Sequence, residues 1–184
     1  AVMSLRFWLA LVGALAVTLL ISSGVGLAAA TMMRKPPPER YATGFFEISL
    51  APGWHCERDG TEIVCTVSKP PYPAIMIIAV KQRNGADNLG AYAAHLRQPQ
   101  ERQNRDGTRS VSKVAYVRSR VIAGHQWIDG LHDSSEVANY WTNYLATNTS
   151  FVGVLVTFSA HHRYYEQYKP QFDEMIGSLY IYQK

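Results

Sequence analysis

Phe151 to Ala160 reads Phe-Val-Gly-Val-Leu-Val-Thr-Phe-Ser-Ala, ten residues without a charge and rich in β-branched side chains. As a helix it would reach only ~15 Å, half of the ~30 Å hydrocarbon core of a bilayer, so it is no membrane span. Valine at alternate positions loses rotamer freedom in a helix and packs well on a pleated surface. A strand with apolar residues on both faces belongs at the centre of a sheet with both faces covered. The reading is therefore α+β: an antiparallel sheet built around 151–160 from Gly44 onward, flanked by helices.

A second apolar stretch constrains the other end. Phe7 to Ala30 carries no ionised side chain, and its ~36 Å as a helix exceeds the bilayer core. Residues 1–33 are expected to be a transmembrane anchor or uncleaved signal segment, with Met3 read as the initiator and Arg6 as a minimal positive flank. Ala28-Ala29-Ala30 offers an A-x-A type cleavage site, so a released domain is the alternative. Residues 34–43, with Pro36-Pro37-Pro38, read as a stiff polyproline-type spacer. The charge rule does not orient the anchor, because Arg6 faces Arg34, Lys35 and Arg40 across it. Setting aside Arg6, Arg34, Lys35 and Glu39 leaves 15 basic against 13 acidic residues of 184. That balance gives no argument for nucleic acid.

Along 44–184 the elements follow in order. Phe46–Leu50 alternates as a half-buried strand, Pro52-Gly53-Trp54 turns the chain onto a large anchor, and a hairpin runs from Trp54 to Ser68. Lys69 to Pro73 connects to an inner strand, Ala74–Val80. Asp87 or Asn88 caps a helix whose Leu89, Tyr92, Ala93 and Leu96 form one apolar face. Gln98–Arg109 reads as a mobile surface loop. Val111–Ala123, Gln126–His132, Glu136–Ala146 and Ser150–Ala160 form a meander. Tyr164, Tyr168, Phe172, Ile176 and Leu179 have helical spacing, and Pro170 predicts either two short pieces or a helix beginning there.

The two cysteines, Cys56 and Cys65, lie in one hairpin, and its register decides whether they meet. An Asp59-Gly60 loop makes them diagonal; a Gly60-Thr61 II′ turn sets them directly opposite. The pair is expected to form a structural disulfide, since they are the chain's only two cysteines and an exported chain meets oxidising conditions.

Chemistry is hard to find. His161-His162 with His55 or His125 is a weak metal set, because neighbours in a strand point to opposite faces and no H-x-x-x-H pattern exists. There is no G-x-S-x-G and no glycine-rich phosphate cradle. Asp129 with Asp133 or Glu136 is a conceivable carboxylate pair, but these read as solvated loop charges. No catalytic residue, metal or cofactor is expected. The aromatic residues Trp127, Tyr140, Trp141 and Tyr144 are the candidate docking face, with Tyr140 and Tyr144 on one side of their strand and Trp141 on the other.

The order of these elements, with Phe46-Glu47-Ile48 before Pro52-Gly53-Trp54, Gly124-x-x-Trp127, Phe158-Ser159-Ala160 and Tyr168 to Leu179, resembles the PsbP-like family from about Gly44 to Tyr182. The resemblance implies an antiparallel sheet between helices, in exported or lipid-anchored proteins whose best-known members are extrinsic subunits of a photosynthetic membrane complex; catalysis is not a family trait. The hydrophobic N-terminus and hairpin cysteines depart from it and leave a photosynthetic role unsupported. The expectation is a bacterial single-pass inner-membrane protein, held in the lipid bilayer by residues 7–30. Its periplasmic domain would dock on an integral membrane protein complex as a non-catalytic accessory subunit. The alternative is a released periplasmic module binding a small ligand or cell-wall component.

Overall fold

The structure is a computed structural model that describes residues 38–67, 72–103 and 107–183. The anchor expected over 1–33 and its bilayer-spanning 7–30 lie outside the described residues. Among those described, no helix is long and apolar enough to cross a membrane.

The main sheet has seven strands in the order β3-β4-β5-β11-β10-β9-β8. They are β3 (Trp54–Asp59), β4 (Glu62–Val67), β5 (Ala74–Gln82), β8 (Lys113–Ile122), β9 (His125–Asp133), β10 (Tyr140–Asn148) and β11 (Val152–His161). Every pairing is antiparallel. β11, the expected central strand, is the fourth of seven. Its even-numbered residues Val152, Val154, Val156, Phe158 and Ala160 are all buried. They face a helix, α2 (Tyr165–Gly177), whose Phe172 stacks on Phe158 with ring centroids 4.6 Å apart. A three-stranded sheet of β1 (Glu39–Ala42), β2 (Phe46–Leu50) and β12 (Tyr180–Ile181) completes that side, with Phe46, Ile48 and Leu50 buried in the same core. Residues 39–42, at the end of the expected spacer, are thus strand β1. Trp54 closes the corner, donating from Nε1 to Gln171 at 2.7 Å.

On the opposite face, among the described residues, α1 (Leu89–Leu96) is the one helix. Asn88 caps it, accepting from the amide of Ala91. Ala93 and Leu96 pack on Ile128 and Tyr144, and Gly130 admits the contact, since a Cβ there would lie 3.3 Å from Leu96 Cδ1.

Three expectations need correction. Among the described residues the central strand is not fully covered on both faces, because eight helical residues extend ~12 Å while seven strands spread over ~29 Å; Leu155 stays 39% exposed. The expected loop over 98–109 contains a hairpin of β6 (Glu101–Gln103) and β7 (Arg109–Val111). And α2 runs unbroken through Pro170. The proline forgoes one backbone bond, while burial of Tyr165, Tyr168, Phe172, Met175 and Ile176 keeps the helix continuous across it.

Candidate functional site

A groove of about 800 Å³ lies on the α1 side, between α1, the β6 segment and the strands β5 and β11. Its floor follows from strand pairing. Leu155 sits opposite Ala79 on one side and Ala146 on the other, and Thr157 sits opposite Ile77 and Tyr144. Ile77 in turn opposes Val64, and Ile75 opposes Thr66. Val64, Ile75, Ile77, Ala79, Leu155 and Thr157 therefore share one face, and each is half-buried or exposed. Beyond them the same face continues to the sheet edge with Glu62, Asp59 and Glu57, through the pairs Glu62–Ala79, Asp59–Glu62 and Glu57–Val64. All three carboxylates are exposed.

Both ends of the groove are fixed by buried polar groups. At one end Asp87, 3% exposed, accepts from Lys81 at 2.8 Å, from the Asn84 amide at 2.9 Å and from the Tyr92 hydroxyl at 3.1 Å. Lys81 first, and then the Asn84 amide, hold the Asp87 carboxyl below its usual range. Burial, reinforced by Asp87, pushes the Tyr92 phenol up to about 12, so it remains a donor. Gly153 makes this arrangement possible: a Cβ there would lie 2.9 Å from the Tyr92 hydroxyl oxygen. At the other end the Tyr144 hydroxyl donates to Glu136 at 2.6 Å and lies 2.9 Å from the Ser135 hydroxyl. Burial, with the Glu136 bond adding to it, raises the Tyr144 pKa above its ordinary value.

His132, fully buried, ties the C-terminus of α1 to the β6–β7 hairpin. Its Nε2–H donates to the Leu96 carbonyl at 2.8 Å and its Nδ1 lies 3.3 Å from the Ser112 hydroxyl. A carbonyl can only accept, so Nε2 carries the proton and Nδ1 is the acceptor. Burial lowers the His132 pKa, opposed by the Leu96 bond, and the ring is neutral at pH 7.

The disulfide is present: Cys56 opposes Cys65 directly and the two are bonded. Of the two registers the structure has the Gly60-Thr61 turn, with positive φ at Gly60 alone, as a II′ turn requires. The four aromatic residues do not share a surface. Trp127 is buried among the α2-side core, donating to the Ile122 carbonyl at 3.3 Å. Tyr144 is buried beneath α1. Tyr140 and Trp141 are half-buried on opposite faces, as the alternation predicts, against His161 and His162 respectively. A buried ring cannot meet a partner, which leaves Tyr140 and Trp141 as the accessible members of that set.

Asp129 corrects the reading of solvated loop charges. It lies inside β9 with no exposed surface, accepting from Arg118 Nε at 3.0 Å, Arg120 Nη1 at 3.4 Å and Asn143 Nδ2 at 2.7 Å. Asp133 sits on the same α2-side face and takes His162 at 2.9 Å, whereas Glu136 bonds Tyr144 on the other side. The three acids are thus engaged separately, and Asp129 is a structural ion-pair centre. His161 and His162 diverge to opposite faces. Among the described residues no group of three His, Cys, Asp or Glu side chains converges as a metal site.

No family profile and no curated protein sequence matches this chain. Solved structures do. The cyanobacterial PsbP protein (CyanoP) of Synechocystis sp. PCC 6803 superposes with a TM-score of 0.55 at 11% identity, over 82% of this chain and 95% of that one. LpqN of Mycobacterium tuberculosis, described as involved in cell envelope biogenesis, gives 0.53 at 8% identity over 82% and 88%. A Pseudomonas aeruginosa protein of unknown function, described as a putative regulator, gives 0.53 at 12% over 81% and 100%. The domain has the PsbP-like fold that the order of its motifs implied.

Proposed function

We propose that this chain is a non-catalytic accessory subunit, anchored in the membrane by residues 7–30, whose exported domain docks on and stabilises a larger membrane protein complex. The observation that carries the reading is the apolar strip over β4, β5 and β11 that the described residues leave only half-covered, a face that sheet-containing domains ordinarily bury against another layer. The Cys56–Cys65 disulfide supports an oxidising compartment on the outer side of a bacterial inner membrane, the periplasm. Likeness in fold to CyanoP and to the envelope protein LpqN supports an extracytoplasmic accessory role. The experiment is purification of the tagged full-length chain from its native membranes in mild detergent. A stoichiometric membrane-protein partner is expected; recovery of the monomer alone contradicts the proposal. A second reading, a released binding module, draws on the groove volume of about 800 Å³, which lies within the ~300–1,000 Å³ of small-molecule sites. It requires a mature N-terminus near Thr31.

A further inference from the structure

We infer that the occupant of the open α1-side face is a basic amphipathic helix of a partner protein, laid beside α1 over β4, β5 and β11, with its cationic flank against Glu57, Asp59 and Glu62. This rests on the accessory-subunit reading and names the chemistry of its docking surface.

Width argues for a helix. Three adjacent strands span two inter-strand spacings, ~10 Å, which is the diameter of one helix with its side chains. The other means by which a sheet recruits a peptide, addition of a strand, needs unpaired backbone at an edge. β4, β5 and β11 each have a hydrogen-bonded strand on both sides, so this surface offers side chains and no free ladder. A helix there would give the α1 side a second helix and cover the half of the sheet that α1 leaves open, which is the usual solution for an apolar sheet face. The groove beside Leu155 and Ala79 provides the recess into which its apolar anchors fit.

Charge selects the sign. Among the described residues Glu57, Asp59 and Glu62 make no ion pair, although all three stand on the same face at the sheet edge. Arg58, between the first two in sequence, points to the opposite face by strand alternation. Of the Lys and Arg side chains lining the groove, Lys81 is engaged by Asp87 at 2.8 Å and Arg102 donates to the Ser110 hydroxyl at 3.1 Å. An incoming helix with Lys or Arg along the β3–β4 flank would relieve three like charges, and one with carboxylates there would add to them. A second copy of this chain does not fit: α1 turns its apolar face onto its own sheet, and so does α2. The chain's own Phe7–Ala30 has no cation between those residues to meet the rim.

The test uses the full-length chain in mild detergent and two synthetic 18-residue probes: an amphipathic Leu/Lys helix and its Leu/Glu counterpart, each with one photo-activatable benzophenone on the apolar side. Partition into micelles is common to all variants and cancels between them. The Leu/Lys probe should crosslink to β4, β5 and β11 and be competed by unlabelled peptide. The double reversal Glu57→Lys/Glu62→Lys touches exposed, unpaired side chains and leaves the fold intact. It should weaken that probe roughly tenfold, the combined effect of a few exposed charge pairs, and invert the preference toward Leu/Glu. Leu155→Gln should weaken both probes. Crosslinks elsewhere, equal affinity in the reversed variant, or a strip already blocked by a second copy or by residues 7–37 would overturn the inference. A chain that co-purifies with its complex while this strip remains open to the probe overturns the docking surface and leaves the accessory role standing. Loss of any native partner, with specific Leu/Lys binding retained, does the reverse.

Discussion

Replacing Asp129 by Asn probes the buried ion-pair centre at nearly constant volume. One carboxylate oxygen receives Arg118 and Arg120, and the other receives Asn143 Nδ2. An amide has one acceptor oxygen, so in either orientation its NH2 faces donors, the guanidinium groups or the Asn143 amide. Breaking a fully buried pair costs ~3–5 kcal/mol. Here the Arg118 and Arg120 side chains retain 57% and 32% exposure and recover some hydration, so the expected loss is ~2–3 kcal/mol. For a domain of this size that lowers Tm by roughly 6–10 °C. Urea unfolding followed through Trp54, Trp127 and Trp141 should show a lower midpoint with an unchanged slope. Asp133→Asn, partly exposed and bonded to His162, should cost under ~1 kcal/mol. A midpoint for Asp129→Asn within ~0.5 kcal/mol of the parent would refute the assignment of Asp129 as a buried structural charge.

Other outcomes follow from the same structure. His132 has a lowered folded pKa, so the unfolded chain binds its proton more readily. Its stabilising contribution is complete above the unfolded value near 6.5 and is lost as pH falls through the folded one, with a slope of up to ~1.4 kcal/mol per pH unit; equilibrium unfolding at pH 5 to 8 should show this slope, and His132→Asn should abolish it. Cys56→Ser/Cys65→Ser closes no loop of about ten residues and should cost ~2–3 kcal/mol without unfolding the domain, and peptide mapping of alkylated native protein should recover no free thiol at either position. Gly153→Ala should displace the Tyr92 hydroxyl from Asp87 and lower thermal stability by ~1–2 kcal/mol, whereas in a Tyr92→Phe background the added methyl should cost almost nothing, a coupling read from a double-mutant cycle.

The sheet was largely legible because its strands are either alternating or wholly apolar between turn residues. The Asn88 cap, the face of α1 and the direct cysteine register follow from local rules that tertiary packing did not override. The half-covered strip stayed hidden because a strand apolar on both faces does not disclose which face is packed. Ile75 and Ile77 look the same in sequence as Met76 and Ile78, which alternate with them, yet the latter pair is buried and the former only half-buried. Only the shortness of α1 against the number of strands hinted at a bare half-sheet. Asp129 was equally opaque, because its partners Arg118, Arg120 and Asn143 come from neighbouring strands. Pro170 was overruled by five buried side chains on its helix. Trp127 and Tyr144 illustrate that aromatic content does not separate core from surface.

Hydroxyl-radical footprinting of the chain in its native membranes, compared with the purified monomer, tests the docking claim most directly. The account predicts that Val64, Ile75, Ile77 and Leu155 are oxidised in the monomer and protected in the membrane, while Val121, 73% exposed at the far edge of the sheet, is labelled equally in both. Equal labelling of the strip in the two states would contradict it.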